Sequence, residues 1–491
     1  EVSNKDVDKT LSSQTSKIYD KTETTFEQKE AIDNFKIELL NTDKKLDDNY
    51  KVIFENIIDK VGKFGGVKRG ESSISIHSTL QHQELLKGNT TVMYSQEDYS
   101  LPEHYNGLGY MNLISMIFEI ETLLFDFRKR LDEKPADINL LFIEEPEAHT
   151  HPQMQYIFIK NIKSILKNGI VRQDGNNREL QYIITTHSSH IVSESDFDDI
   201  KYLKKQAKSS VISKNLKDLE KEYIDNGEEQ NYKFLKQYLT LNRAELFFAD
   251  KAILIEGDTE RILIPAMMKK IDEESSVEDE KLLSQNISIV EVGAYSQVYE
   301  KFIDFIGVKT LVITDIDSVD TEGSACEVSS SSAINTSNSS LKYFFGTSNL
   351  LDYANRILKD KILIKNSTTK KWELNKEKGF LLVVYQIEEK NSNNEVYHAR
   401  SFEDSFFHIN KQFMYDNLTK FSIGIKNPRY IDTSHDAYKD DPYLWANECI
   451  NKKPSFAMEI LRNSKGENNK SFINWNIPSY IKDGLIWLRD N

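Results

Sequence analysis

Three short runs of this sequence put acids where chemistry needs them. Glu144-Glu145-Pro146-Glu147 directly follows the apolar run Leu140 to Ile143, and the later run Tyr182 to Thr185 leads into Thr186-His187-Ser188. A hydrophobic strand that ends in acids delivers them to the carboxyl edge of a parallel sheet, where nucleotides bind. There Glu144 can hold a metal-bound water, Glu145 can polarise an attacking water and His187 can reach a γ-phosphate, which are the roles phosphoryl transfer requires. Upstream, Asn106-Gly107-Leu108-Gly109 precedes a helical pattern, and a Gly-rich turn at a helix start suits anion binding. Further on, the apolar strand ending at Ile255 presents Glu256, followed by Gly257 and a helical stretch that carries Glu260. Thr310 to Thr314 ends in Asp315-Ile316-Asp317. Residues i and i+2 at a strand end point the same way, so both aspartates can face one cation. Adjacent parallel strands would bring Glu256 beside them, a hard-oxygen set suited to Mg²⁺ or Mn²⁺.

The elements that must position these residues can be read from periodicity. Apolar residues recur at three or four positions from Lys29 to Gly62, as in an amphipathic helix or a broken helical pair. Residues 73–94 read as short strands, 112–127 as an apolar helix, 140–143 and 182–185 as strands, and 152–167 as the helix between them. Strand, helix, strand at this spacing predicts a parallel α/β sheet. The polar, Lys/Glu-rich stretch 196–243 has the composition of a connector. A second α/β pattern follows, with strands at 252–256, 287–292, 310–314 and 380–385; residues 321–340 are rich in Ser and Asn and read as a solvated or disordered insertion.

Composition bounds the class. At roughly 150 residues per domain, 491 residues make about three domains or subdomains. With 39% hydrophobic residues the chain is not wholly disordered, and with 29% charged residues and a mean hydropathy of −0.54 it is not a membrane protein. No signal peptide opens the chain, and Cys326 and Cys449 form no disulfide framework, so a cytoplasmic setting is expected. A formal net charge of −15 argues against nucleic-acid binding by a general basic surface. It is compatible with an enzyme whose acids hold divalent ions, because the ions reverse the field a phosphate meets.

The first set resembles the ABC-type ATPases of the SMC and RecF kind. In that resemblance Glu144–Glu147 match the Walker B segment and its catalytic glutamate, the residues through His151 the D-loop, and His187 the switch histidine. Asn106, Gly107 and Gly109 stand in the place of the signature motif, which acts on a nucleotide held by the opposite subunit. No G-x-x-x-x-G-K-[ST] phosphate loop occurs anywhere in the sequence. That loop lies N-terminal to the signature in such ATPases, and residue 1 is Glu, so the expectation is an ATPase domain lacking its first part, which would bind ATP only with that part restored. The second set resembles a TOPRIM fold.

The pair together resembles the OLD (overcoming lysogenisation defect) family of nucleases, over about residues 100–460. The implied organisation is an α/β chain: residues 1–100 as the helical and strand part of the ATPase domain, 101–195 as its C-terminal half, 196–245 as a helical connector, and 246–491 as the TOPRIM nuclease domain with an insertion at 321–340. Ala399-Arg400-Ser401-Phe402-Glu403-Asp404 is similar to the family's late acidic motif and Lys452-Lys453-Pro454-Ser455-Phe456-Ala457 to its lysine motif. The resemblance implies a two-metal DNA endonuclease: Glu256, Asp315 and Asp317 on one ion, Glu260 with Glu403 or Asp404 on a second, and Lys453 stabilising the scissile phosphate. It also implies a homo-oligomer, dimer or tetramer, in anti-phage defence, acting with a helicase-like partner, as in Gabija systems, or beside a retron reverse transcriptase with its DNA. The rivals are a RecF-like clamp without catalysis, and a topoisomerase or primase.

For DNA contact, residues 359–378 hold seven lysines against three acids, a local +4, with Trp372 among them. This is either a hairpin that touches the phosphate backbone or a solvated edge hairpin protected by lysines. Lys201, Lys204, Lys205 and Lys208 form a second basic candidate. The insertion after Asp317 either gates DNA or is passive.

Overall fold

The computed structural model describes residues 26–490, apart from stretches between 64 and 133 and the short segments at 149, 172–174, 176, 207–209, 243 and 277–279. The chain divides into two compact units, Glu1–Ser195 and Asp196–Asn491. Among the described residues no helix is long and apolar enough to cross a membrane.

In the first unit, helix α1 (Phe26–Lys63) is followed by an antiparallel sheet of β1 (Ser73–Ser78), β2 (Thr90–Gln96) and β3 (Tyr99–Pro102). Strands β4 (Asn139–Glu144) and β5 (Leu180–Thr185) pair in parallel, with Glu144 opposite Thr185, and helix α2 (Pro152–Gly169) connects them. α2 starts where the His151 side chain accepts a hydrogen bond from the Gln153 N–H and Pro152 supplies a preformed first turn. Its buried residues Met154, Phe158, Ile159, Ile162 and Leu166 share a core with Leu141 and Ile143 of β4 and with Leu113, Ile117, Ile120 and Leu124, which lie in the stretch expected to be an apolar helix. The short helix α3 (Ser189–Glu194) follows β5 and is capped by the Ser188 hydroxyl.

The second unit opens with the antiparallel hairpin β6 (Lys201–Lys205) and β7 (Val211–Asn215), then helices α4 (Leu216–Asp225) and α5 (Glu229–Asn242). The segment expected as a helical connector therefore contains strands, and it packs into its own unit. The Tyr223 hydroxyl of α4 donates to the Val298 carbonyl at 2.6 Å, and Lys204 and Lys214 of the hairpin donate to carbonyls of residues 305–307. Those carbonyls end helix α7 (Glu300–Ile306), so the two lysines neutralise a helix C-terminus. Lys204 thus has a structural partner, and Lys208 lies outside the described residues.

The main sheet has the order β14-β13-β15-β10-β8-β9. Its centre is parallel: β8 (Lys251–Ile255), β9 (Ile287–Glu291), β10 (Lys309–Ile313) and β15 (Leu381–Val384). The antiparallel pair β13 (Ile362–Lys365) and β14 (Trp372–Leu374) closes one side. Buried parallel strands read as continuous apolar runs, and residues 252–255 and 382–384 are wholly buried. Helix α6 (Asp258–Glu274) follows β8, while α9 (Phe402–Ile409), α10 (Lys453–Arg462) and the C-terminal α11 (Ser479–Asp490) contribute Phe406, Phe456 and Ile481 to the same core. α11 comes so close to the sheet that a Cβ on Gly484 would stand 2.9 Å from Leu311.

The Ser/Asn-rich insertion is folded. It makes the short antiparallel pair β11 (Ser318–Val319) and β12 (Asn335–Thr336) and ends in helix α8 (Ser339–Phe345), capped by Asn338. The lysine-rich segment forms the β13/β14 hairpin at the sheet edge. Within it Lys361 and Lys365 are buried and Lys376 pairs with Asp360 at 2.6 Å, which leaves Lys359, Lys370, Lys371 and Lys378 exposed on the hairpin.

Candidate functional site

The ATPase-like residues gather at the paired ends of β4 and β5. The Glu145 N–H donates to the Thr185 carbonyl at 3.0 Å, and Glu145 takes a left-handed backbone, φ +42°. A non-glycine residue in that region carries about 1–3 kcal/mol of strain, and such strain clusters at functional positions. His187 Nε2 lies 3.3 Å from Glu145 Oε1, both side chains being exposed, and the His187 N–H donates to Glu147 Oε1 at 2.5 Å. Glu144 is exposed at the same edge. Gly109 occupies a helical, half-buried position, whereas Asn106 and Gly107 lie outside the described residues.

A larger acidic cluster forms at the carboxyl ends of β8 and β10. Because Leu254 pairs with Val312, Glu256 comes beside Thr314 and Asp315. Glu256 Oε1 accepts from the Thr314 hydroxyl, from the Asp315 N–H at 3.2 Å and from Asn338 Nδ2 at 2.8 Å. Asn338 Nδ2 also lies 2.8 Å from the Thr314 hydroxyl oxygen and 2.9 Å from the Asp315 carbonyl. Asp315 Oδ1 accepts from Gln386 Nε2 at 2.6 Å and from the Phe402 N–H at 3.0 Å, at the start of α9. Gln386 is itself held, its oxygen accepting from the Ile316 N–H and its amide donating to the Tyr480 hydroxyl of α11. Asp317 has φ +48°, and its Oδ1 lies 3.0 Å from Arg400.

Glu260 and Glu403 complete the cluster. Both are buried, and Glu403 Oε1 accepts from the Thr259 hydroxyl at 3.0 Å and lies 3.0 Å from the Lys453 ammonium. Of the two acids in the late motif only Glu403 faces this cluster. Asp404 caps α9, accepting from the Ser401 N–H and hydroxyl, the Arg400 N–H and the Tyr397 hydroxyl. Its work is to fix the turn that aims the Phe402 N–H at Asp315.

Burial and mutual repulsion govern the protonation of these acids. Burial, then the neighbouring Glu403, pushes Glu260 up to about 8. Asp315 is raised well above the ordinary carboxylate range by burial, with Glu256, Glu260 and Glu403 adding to it. Glu256 is raised by burial although three donors oppose the shift. Lys453 is raised: burial alone would lower it, and the charges and hydrogen bond of Glu403, with Asp315 and Glu260 behind, prevail.

Such acids fit a divalent cation by donor chemistry, since hard oxygens hold Mg²⁺, Mn²⁺ or Ca²⁺. Glu260 accepts a hydrogen bond from no other described residue, and Asp315 Oδ2 accepts none among them, so both keep oxygens free for an ion. As the side chains stand, no three His, Cys, Asp or Glu among the described residues converge closely enough to hold a metal. The acids are gathered at one sheet edge without being drawn onto one point.

Sequence reasoning missed Asn338 and Gln386. Gln386 carried the same signal as Glu256 and Asp315, a polar residue just beyond a buried parallel strand. Asn338 was masked by the composition of the Ser/Asn-rich segment that contains it.

Comparison with known proteins gives two domain matches: residues 1–192 match the AAA ATPase domain family, and residues 247–317 match the TOPRIM domain of overcoming lysogenization defect protein-like proteins. Over 98% of its length the chain is 28% identical to endonuclease GajA of Bacillus cereus, of which it spans 67%. Over 50% of its length it is 24% identical to the Old nuclease of Escherichia phage P2, of which it spans 39%. The chain thus spans about two thirds of one relative and well under half of the other. Among solved structures, the C-terminal region of the Burkholderia pseudomallei OLD protein aligns with 50% of the chain and 98% of that region, at 19% identity and a TM-score of 0.29.

Proposed function

The chain belongs to the OLD family, joining an AAA ATPase domain to an OLD-like TOPRIM domain, and we propose that it is a metal-dependent DNA endonuclease governed by nucleotide at the ATPase domain. The observation that carries this reading is the gathering of Glu256, Asp315, Glu260 and Glu403 about the carboxyl ends of β8 and β10, with the Lys453 ammonium 3.0 Å from Glu403. Glu256, Asp315 and Asp317 would hold one Mg²⁺ or Mn²⁺, and Glu260 with Glu403 a second. Bound there, such ions lower the pKa of a water and offset charge on the scissile phosphate. The rest is done by the chain itself. Gln386 and the Phe402 N–H orient Asp315, Asn338 orients Glu256, and Lys453 brings positive charge to a phosphate that approaches a largely acidic cluster.

In the ATPase domain Glu144 would hold a nucleotide-bound metal, Glu145 would polarise a water and His187 would reach the γ-phosphate. By the resemblance to SMC-type ATPases, Asn106, Gly107 and Gly109 would serve the nucleotide of a second copy, and the working form would be a homodimer or a tetramer. Residues 246–491 form the nuclease domain, with 196–245 as its approach. A defence role fits the relatives, with a helicase-like protein or a retron reverse transcriptase and its DNA as partner.

Supercoiled plasmid incubated with Mg²⁺ or Mn²⁺ tests the proposal. Wild-type protein should nick or linearise it, Asp315→Ala should not, and added ATP should change the rate. Equal cutting by Asp315→Ala, or no cutting by wild type with either ion, sinks the nuclease reading and leaves an ATP-driven clamp.

A further inference from the structure

Next to the acidic cluster lies an open cavity of about 350 Å³, lined by Phe234 and Tyr238 of α5, by Glu256, and by Glu291, Gly293 and Tyr299. That volume falls in the range of small-ligand clefts. Its aromatic wall is ordered. The Phe234 and Tyr238 rings stack at 5.8 Å with 24° between planes, and Tyr299 meets both edge-on at 6.3 and 5.8 Å. The Tyr238 hydroxyl is tied to the Glu291 carbonyl at 2.5 Å, which fixes that ring. Phe234 is 48% exposed, a large apolar face turned to solvent beside the site. Gly293 has φ +59°, a left-handed backbone that a side chain at this position would strain.

We propose that this cavity takes an unstacked nucleobase of the DNA strand being cut. The inference rests on the nuclease reading, because Glu256 belongs to both the cavity and the acidic cluster. The lining contains two carboxylates, Glu256 and Glu291, and no cation, so it repels a phosphate. Flat aromatic faces offer stacking to any base. Carboxylate oxygens accept hydrogen bonds from the exocyclic amines of adenine, cytosine or guanine. Arg261 Nε lies 3.4 Å from Glu291 Oε2 and holds one side of that carboxylate in place. A base drawn into the cavity would leave its own phosphate at the rim, toward Glu256, and enzymes that act beside an unstacked base read it in this manner, by stacking and edge contacts.

The test uses a duplex that the wild-type protein cuts, rebuilt with one abasic nucleotide stepped through the positions flanking the cut. Wild type should lose about tenfold in rate at one position, the effect of removing one stacked base. Phe234→Ala should cut intact DNA about tenfold more slowly and be indifferent to the gap at that position, and Phe234→Trp should restore both rate and gap sensitivity. A duplex cut by no wild-type preparation overturns the nuclease reading itself. Cutting that no single gap slows, or a gap that slows Phe234→Ala as much as wild type, overturns the cavity alone. Free adenosine forms a second arm: if it slows wild type but not Phe234→Ala while no gap matters, the cavity binds free nucleosides and its assignment to the strand is overturned.

Discussion

Asn338 Nδ2 donates to Glu256 Oε1 at 2.8 Å, a bond that joins the end of the Ser/Asn-rich insertion to the first acid of the sheet edge, 82 residues away in sequence. The insertion therefore builds part of the site. Removing the amide leaves Glu256 with the Thr314 hydroxyl and the Asp315 N–H and frees it to turn. Partners of this kind are typically worth about 10–100-fold in metal affinity or activity. Asn338→Ala should accordingly slow plasmid cutting by at least about tenfold and raise the metal concentration needed for half-maximal rate. Its melting temperature should fall as well, because the same side chain caps α8 and its amide also reaches the Asp315 carbonyl; a lost cap costs about 0.5–2 kcal/mol and a buried group left unpaired about 1–3 kcal/mol. Full activity at unchanged metal demand would assign the amide to folding alone.

Gln386 sets up a parallel case on the next acid. It is wholly buried and connects Asp315, the Ile316 N–H and the Tyr480 hydroxyl. Gln386→Leu keeps the volume and removes the amide, leaving Asp315 Oδ1 with only the Phe402 N–H. The expected result is a loss of about 10–100-fold in rate with a rightward shift in metal dependence. Tyr480→Phe should lose less, since Gln386 keeps its other two contacts. Equal losses in the two variants would show that the tyrosine, not the amide, positions the acid.

The parts of this architecture legible in sequence were those coded by local pattern. Buried parallel strands must be apolar on both faces, so β8, β10 and β15 stood out as runs; β4, exposed on one face, is an equally apolar run, and the acids that end β4, β8 and β10 stood out with them. What failed was tertiary in origin. The hairpin β6/β7 is polar and short, and nothing in its composition says that Lys204 and Lys214 will cap a helix about a hundred residues later. The insertion has too few large apolar residues to announce a fold, and is held by backbone pairing and by Asn338. Asp404 and Glu403 are adjacent acids in sequence; only the capping geometry at Ser401 separates their roles.

The lysines of the β13/β14 segment divide into two classes with different expected phenotypes. Lys365 Nζ lies 3.0 Å from Glu300 and 3.2 Å from Glu222, and its side chain is 3% exposed. Glu300, also buried, further accepts from Trp372 and Tyr343. Lys365→Met would strip one cation from a buried acid, a change that typically costs about 3–5 kcal/mol. Chemical denaturation should show that loss. Lys370→Glu with Lys371→Glu, on the exposed turn, should change stability by no more than about 0.5 kcal/mol. If this hairpin touches DNA, that pair should weaken binding and flatten its salt dependence. Unchanged binding would leave the lysines with edge protection as their role.

Lys361 gives a pH signature. It is 2% exposed, its ammonium lies 3.6 Å from the Tyr385 ring centroid, and its pKa is pushed down to about 7 by burial and then by Arg356, with Asp483 opposing. His398 also lies within electrostatic reach. Tyr385 attracts the cation, yet the cost of taking an ammonium out of water prevails. The folded pKa lies below the unfolded value of 10.5, so between about 7 and 10.5 the unfolded chain binds more protons and stability rises with pH. Below about 7 the folded protein carries the full cost of a buried charge; above 10.5 that cost is gone. Lys361→Met fills the same space without the charge. It should therefore melt above wild type at pH 6, by an amount that narrows steadily as the buffer is taken to pH 10. Melting curves of both proteins across that range decide the matter, and a gap that stays constant with pH would mean that Lys361 titrates as an ordinary surface lysine.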